Sequence, residues 1–166
     1  MAKPDIPVTT AIRTLREKKI EFRPHFYTYE ERGGTAHSAS SLNVPEHEVV
    51  KTLVMQSDER KGLIVLMHGD CEVSTKQLAR LTGAKRIDPC DEATAQRLTG
   101  YQFGGTSPFG TRQPLPVYVE RTIFSLPRIL INGGKRGFLV EIQPADLRKA
   151  FEVIEVEVAI SSTQSG

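Results

Sequence analysis

Apolar and polar positions change period several times along the chain, and each change predicts an element. Over residues 10–18, Ile12 and Leu15 recur on one side while Arg13, Arg16, Glu17 and Lys18 take the other. That is an amphipathic helix, which Thr9 or Thr10 can cap. Residues 20–29 read as a strand whose bulk is Phe22, Phe26, Tyr27 and Tyr29, and Pro24 confines it to a sheet edge or interrupts it. Gly33-Gly34 breaks the chain. Thr35 then opens a short helix through Ala36, Ala39 and Leu42, and a small turn covers 45–48. Residues 49–55 and 63–67 are two β-rich runs joined by a polar turn, which predicts a hairpin. The second run is apolar on both faces and belongs in the middle of a sheet.

Further on, Ser74 caps a helix over 75–81 that Gly83 ends, and Asp91 caps one over 92–98 that Gly100 ends. Residues 117–119, 129–131 and 138–142 read as strands, with a short helix over 122–126 stopped by Pro127. Pro144 suits the first turn of a helix carrying Leu147 and Phe151. Residues 153–158 alternate as a last strand, valine and isoleucine to one face and glutamate to the other, and the tail from about Ser161 is expected to fray. Hairpins and helices are interspersed without regular βαβ alternation. The fold class is therefore α+β: a mixed, mostly antiparallel sheet with helices packed around it, in a single domain over 1–166.

Within this pattern one residue is out of place. Lys51 shares a strand face with Val49, Leu53 and Met55. An ammonium group among apolar neighbours must be paired, bind something, give up its proton, or snorkel to water. Taken alone, the pattern favours snorkelling. Two glycine-rich segments change the balance. Gly104-Gly105-Thr106-Ser107-Pro108-Phe109-Gly110 and Asn132-Gly133-Gly134-Lys135-Arg136-Gly137 can each be a tight connection, the second a hairpin turn with a bulge. Beside Lys51 they describe a cleft with one cation and two walls rich in main-chain N–H and C=O groups. Neither is a P-loop or a dinucleotide fingerprint.

Composition excludes more than it assigns. The net charge of +2 is too small for a strong nucleic-acid footprint. Cys71 and Cys90 lie far apart with acidic neighbours, which reads as inert thiols in a reduced, cytoplasmic protein. His25, His37, His47 and His68 show no ligand spacing, so no metal site and no cofactor are expected. The first residues carry no apolar h-region, so no signal peptide is expected, and the longest apolar run, 63–67, is too short to cross a membrane. No nucleophile with a partnered base stands out, so an enzyme here would work by positioning and oxyanion stabilisation.

Val50-Lys51-Thr52-Leu53, Gly100-Tyr101 with the 104–110 segment, and Gly133-Gly134-Lys135-Arg136-Gly137 occur in an order and spacing that resembles the YbaK/EbsC family, and with it the editing domain of bacterial prolyl-tRNA synthetases. The resemblance spans nearly the whole chain. It implies trans-editing: hydrolysis of a mischarged aminoacyl-tRNA, Cys-tRNA(Pro) or another small-amino-acid ester. By the same likeness Lys51 is the catalytic residue. Tyr29, Thr52, Gly104, Gly105, Thr106, Ser107, Pro108, Asn132, Gly133 and Gly134 would bind substrate, and Lys135 and Arg136, the two cations of the second glycine segment, are the candidates for tRNA contact. For the cysteine-editing type, the resemblance implies that the substrate's own thiol attacks its ester carbonyl and the amino acid leaves as a thiolactone. Without a thiol, water must attack. Asn132 stands where that type has a serine and Leu139 where it has an acid, and Gly33-Gly34 leaves no aromatic in a pocket segment. These departures leave the amino acid open. Prolyl-tRNA synthetase is the partner the likeness suggests, and the alternative reading is a non-catalytic module that binds tRNA or a synthetase.

Overall fold

The computed structural model describes residues 5–161. Its helices are α1 (Thr10–Glu17), α2 (Gly34–Leu42), α3 (Thr75–Thr82), α4 (Glu92–Thr99) and α5 (Leu147–Ala150). Its strands are β1 (Arg23–Phe26), β2 (Val49–Ser57), β3 (Gly62–His68), β4 (Cys71–Val73), β5 (Ile87–Pro89), β6 (Val117–Glu120), β7 (Ile129–Lys135), β8 (Phe138–Ile142), β9 (Val153–Val156) and β10 (Ala159–Ser161). The main sheet runs β1-β8-β7-β2-β3-β6-β9, with β5 added to β2, and β10 pairs β4 in a separate ribbon. Parallel pairs are β2/β7, β3/β6 and β6/β9, and the other pairings are antiparallel. The fold is α+β with a mixed sheet, as expected.

Local chemistry accounts for much of this. Thr9, Ser74 and Asp91 each accept a main-chain N–H at the start of their helix, and Gly83 and Gly100 close α3 and α4 at positive φ. β3 is flanked by β2 and β6, and Ile64, Val65, Leu66 and Met67 are fully buried, as strands covered on both faces must be. One face of the sheet packs under α1 around Ile64, Leu66, Val119, Ile131 and Phe138. The other face is split. Val49, Leu130 and Leu139 pack with Ala39 of α2, while Met55, Val65 and Met67 pack with Leu78 of α3.

Several expectations are corrected. The strand expected over 20–29 forms only at Arg23–Phe26, on the sheet edge where Pro24 withholds no needed N–H. α2 begins at Gly34, and Thr35 donates its hydroxyl to Glu46 at 2.7 Å. The short helix expected over 122–126 forms at Arg121–Ser125 and is 3₁₀ rather than α. β9 stops at Val156, and Ile154 is exposed where an inward position was expected. β4, β5 and β10 were not anticipated. Ser161 closes β10 opposite Cys71, and the rest of the expected frayed tail lies outside the described residues. Among the described residues no helix is long and apolar enough to cross a membrane.

The β1 edge is tied down by charge. Glu141 lies 2.9 Å from His25 Nε2 and 3.2 Å from Arg128 Nη1, and Arg128 Nε donates to Glu48 at 3.1 Å. Burial alone would raise the Glu141 carboxyl, but the His25 hydrogen bond and the Arg128 charge outweigh it and hold it below its ordinary value of 4.5. A carboxylate depressed in the folded state stabilises fully above its ordinary value and loses that contribution as pH falls through the lowered one. Glu141→Gln is therefore expected to cost on the order of 1 kcal/mol at neutral pH. Melting curves of the two proteins should converge as pH drops below 4.5.

Candidate active site

A cleft opens where two parallel strands part. β2 pairs with β7 only at Val49–Leu130 and Val50–Ile131. Farther along, the same edge of β2 is taken by β5 from Met55, and Val54 C=O accepts Cys90 N–H at 3.0 Å. Main-chain groups alternate between the two edges of a strand, so Thr52 turns its N–H and C=O toward the stretch neither partner reaches. β7 bends away there, because its pairing with β8 shifts register between Asn132 and Lys135. The gap is a cavity of about 460 Å³. β2 lines it with Lys51, Thr52 and Leu53. Tyr27, Tyr29, His37, Phe103, Gly104, Thr106, Asn132 and Leu139 line it as well.

Lys51 occupies the seam between the two apolar clusters on its face, Val49 with Leu139 on one side and Met55 with Met67 on the other. Its side chain is 19% exposed, and Nζ lies 3.7 Å from Glu72 Oε1 on β4. The ammonium is thus partly desolvated and loosely paired rather than snorkelling freely. Beside it, Thr52 Oγ1 is buried with no hydrogen-bond partner among the described residues. A buried hydroxyl without a partner is costly and calls for a reason.

The two glycine segments touch each other. A Cβ on Gly105 would fall 2.8 Å from the main-chain nitrogen of Arg136. Asn132 joins the segments, accepting N–H groups of Gly134 and Lys135 at 2.6 and 3.1 Å and donating Nδ2 to Gly104 C=O at 3.3 Å. Arg136 donates Nε to Phe103 C=O at 2.8 Å and lies 4.7 Å over the Tyr29 ring. Gly104, at φ 87°, lets Tyr29 approach so closely that a Cβ there would sit 2.6 Å from its hydroxyl.

Of the residues singled out in the sequence, Tyr29, Lys51, Thr52, Gly104, Thr106 and Asn132 meet at the cleft. Ser107 is fully buried and accepts Phe109 N–H at 3.1 Å, and Pro108 is buried behind the loop. Gly105 supports the loop contact, Gly133 packs on the Phe138 ring, and Gly134 packs on Tyr101 and Thr9. Lys135 is exposed and Arg136 braces the mouth. Sequence reasoning missed Tyr27, His37, Phe103 and Glu72. Phe103 carried a signal, since a phenylalanine in a polar glycine loop is out of place, and it is 58% exposed. Glu72 carried none.

Protein nucleophiles are scarce. Burial, with Asp70 beside it, pushes the Cys71 thiol up to about 11, and burial with Asp91 raises Cys90. Neither lines the cleft. His37 does line it, but Nε2 lies 2.7 Å from Thr28 C=O and Nδ1 faces Glu30 at 3.3 Å, so both ring nitrogens are engaged.

Comparison with known proteins places this geometry in context. The profile of the aminoacyl-tRNA editing domain matches residues 30–150. The chain is 28% identical over 137 residues to a candidate Cys-tRNA(Pro)/Cys-tRNA(Cys) deacylase, EbsC of Enterococcus faecalis, covering 82% of this chain and 84% of that one. It is 25% identical over 94 residues to a proline–tRNA ligase of Brachyspira hyodysenteriae, covering 57% of this chain and 16% of the ligase. In fold it is similar to the solved structure of a candidate trans-editing enzyme for prolyl-tRNA synthetase, with a TM-score of 0.78 and 18% identity over 97% of this chain and 100% of that one.

Proposed function

The chain belongs to the aminoacyl-tRNA editing domain family, and on that premise we propose that it acts in trans to hydrolyse the ester of a small, wrongly attached amino acid, with cysteinyl- or alanyl-tRNA(Pro) as substrate. One observation carries this reading: a partly desolvated ammonium, Lys51, shares one cavity with the open main-chain edge at Thr52 and the Gly104 loop. Such a site can hold an ester and neutralise the charge that develops on its carbonyl oxygen without a protein nucleophile. The attacking group is then the substrate's own thiol for cysteine, or water for alanine. Val49, Leu53 and Leu139 form the apolar part of the wall. Seating serine there would desolvate its hydroxyl at a cost of about 1–3 kcal/mol, which favours cysteine and alanine.

The test is a panel of cysteinyl-, alanyl- and seryl-tRNA(Pro) presented to the purified protein. Turnover of cysteinyl or alanyl ester above seryl supports the reading. Binding of tRNA without turnover on any substrate would instead establish a non-catalytic module. With a net charge of +2, phosphate contacts supply little affinity, and a prolyl-tRNA synthetase partner is proposed to present the tRNA. Co-elution of the two proteins with tRNA(Pro), absent without the synthetase, checks this.

Thr52 gives a separable prediction. Its unpartnered hydroxyl costs stability in the empty protein, so Thr52→Val should be neutral or stabilising by about 1 kcal/mol. If the hydroxyl is kept for substrate, the same change should lower kcat/KM by about 10-fold. Thermal melting and single-turnover deacylation, run side by side, read the two effects.

A further inference from the structure

The geometry points to a divalent-cation site outside the cleft, formed by His47, Asp70 and Cys71, that takes a borderline-soft ion such as Zn²⁺. A ring nitrogen of His47, a carboxylate oxygen of Asp70 and Sγ of Cys71 all lie within 4.8 Å of one another. His47 Nδ1 is 2.8 Å from Asp70 Oδ1, and the Cys71 thiol donates to the same oxygen at 3.6 Å. Zinc binds nitrogen, oxygen and sulfur donors at about 2.0–2.3 Å, which sets tetrahedral donors roughly 3.3–3.8 Å apart. The three donors therefore need only small shifts to close on one ion. Imidazole, carboxylate and thiolate together select zinc over magnesium or calcium, which prefer all-oxygen shells.

Each donor is held in place by ordered structure. The His47 ring stacks on His68 with centroids 3.7 Å apart and planes 4° from parallel. His68 is itself buried, its Nδ1 donating to His47 C=O at 2.8 Å and its Nε2 accepting from Thr122 Oγ1 at 2.7 Å. The stack fixes the plane of the His47 ring, and the carbonyl bond fixes its main chain. Asp70 lies in the turn between β3 and β4, and Cys71 is fixed by pairing with Ser161 of β10. The His47 and Asp70 side chains are 47% and 43% exposed, so an ion can enter and water can fill a fourth position. On binding, the Cys71 proton leaves to solvent, and the Nδ1 hydrogen that His47 donates to Asp70 is exchanged for one on Nε2, which frees the Nδ1 lone pair for the ion. The 23-residue gap between His47 and Asp70 is why ligand spacing did not reveal the group.

Co²⁺, a spectroscopic stand-in, and Zn²⁺ would be titrated into the metal-free chain. One ion per chain is expected, with a Kd on the order of a micromolar or tighter and a sulfur-to-cobalt charge-transfer band. Cys71→Ser should abolish the band, and His47→Ala and Asp70→Asn should each weaken binding by at least about 10-fold. Cys90→Ser should change neither. Circular dichroism confirms that each variant is folded, and Asp70→Asn serves if Cys71→Ser is not. No binding by the unaltered chain, a band that survives Cys71→Ser, or a band lost in Cys90→Ser would overturn the assignment. The readout is independent of deacylation, so it stands or falls apart from the proposed function.

Discussion

Lys51→Met is expected to slow hydrolysis of the preferred mischarged tRNA by at least about 100-fold, the usual loss when a positioned electrostatic donor is removed. Methionine keeps the length and apolar bulk of the stem, so the clusters on either side of Lys51 still have something to pack against. Only the charge is deleted, and the melting temperature should hold or rise slightly, because the ammonium is no longer withdrawn from water. Glu72→Gln separates pairing from chemistry. Glu72 is 67% exposed, and an ion pair at 3.7 Å with so open a partner contributes little. That variant should retain at least about a fifth of the rate. Single-turnover deacylation with melting curves decides the matter. A Lys51→Met protein that keeps more than about a tenth of wild-type turnover would take the ammonium out of the reaction.

Elements that announce themselves by local chemistry were legible in the sequence. α3 and α4 are bracketed by a capping side chain and a glycine, and β2 with β3 is a pair of long β-rich runs around a polar turn. β4, β5 and β10 span three residues each, too few to show an alternation, and they exist because a neighbouring strand offers an edge. The cleft was half legible for the same reason. Lys51 stood out because its own strand supplies apolar neighbours, and the glycines stood out by composition. Which glycines face the cavity was not legible. Gly104 reaches it, whereas Gly133 and Gly134 spend their missing side chains on Phe138, Tyr101 and Thr9. Those contacts reach across a bulge or between segments far apart in the chain, and no spacing rule encodes them. Asn132 shows the same limit. Its place beside the glycines was visible, but its work in joining two loops depends on where Gly104 C=O ends up.

Gly104→Ala is expected to lower kcat/KM by about 10- to 100-fold, through two effects that can be told apart. At φ 87° an alanine is strained whatever space surrounds it. That strain is about 1 kcal/mol and falls mainly on the loop. The new methyl would also meet the Tyr29 hydroxyl at 2.6 Å and its ring carbons at 3.0 and 3.1 Å, so Tyr29 must move. Tyr29 carries the Arg136 guanidinium over its ring, and Arg136 in turn holds Phe103 C=O, so the displacement spreads along the mouth of the cleft. A shift of about 1 Å in groups that position a substrate can cost 100-fold in rate. Because these groups hold the ester rather than react with it, the loss should fall more on KM than on kcat. Adding Tyr29→Phe removes the nearest clashing atom while leaving the backbone strain. The double variant should recover part of the activity lost by Gly104→Ala but none of its lost thermal stability. Equal activity in the single and double variants would mean that strain in the loop, and not the position of Tyr29, governs how the cleft receives its substrate.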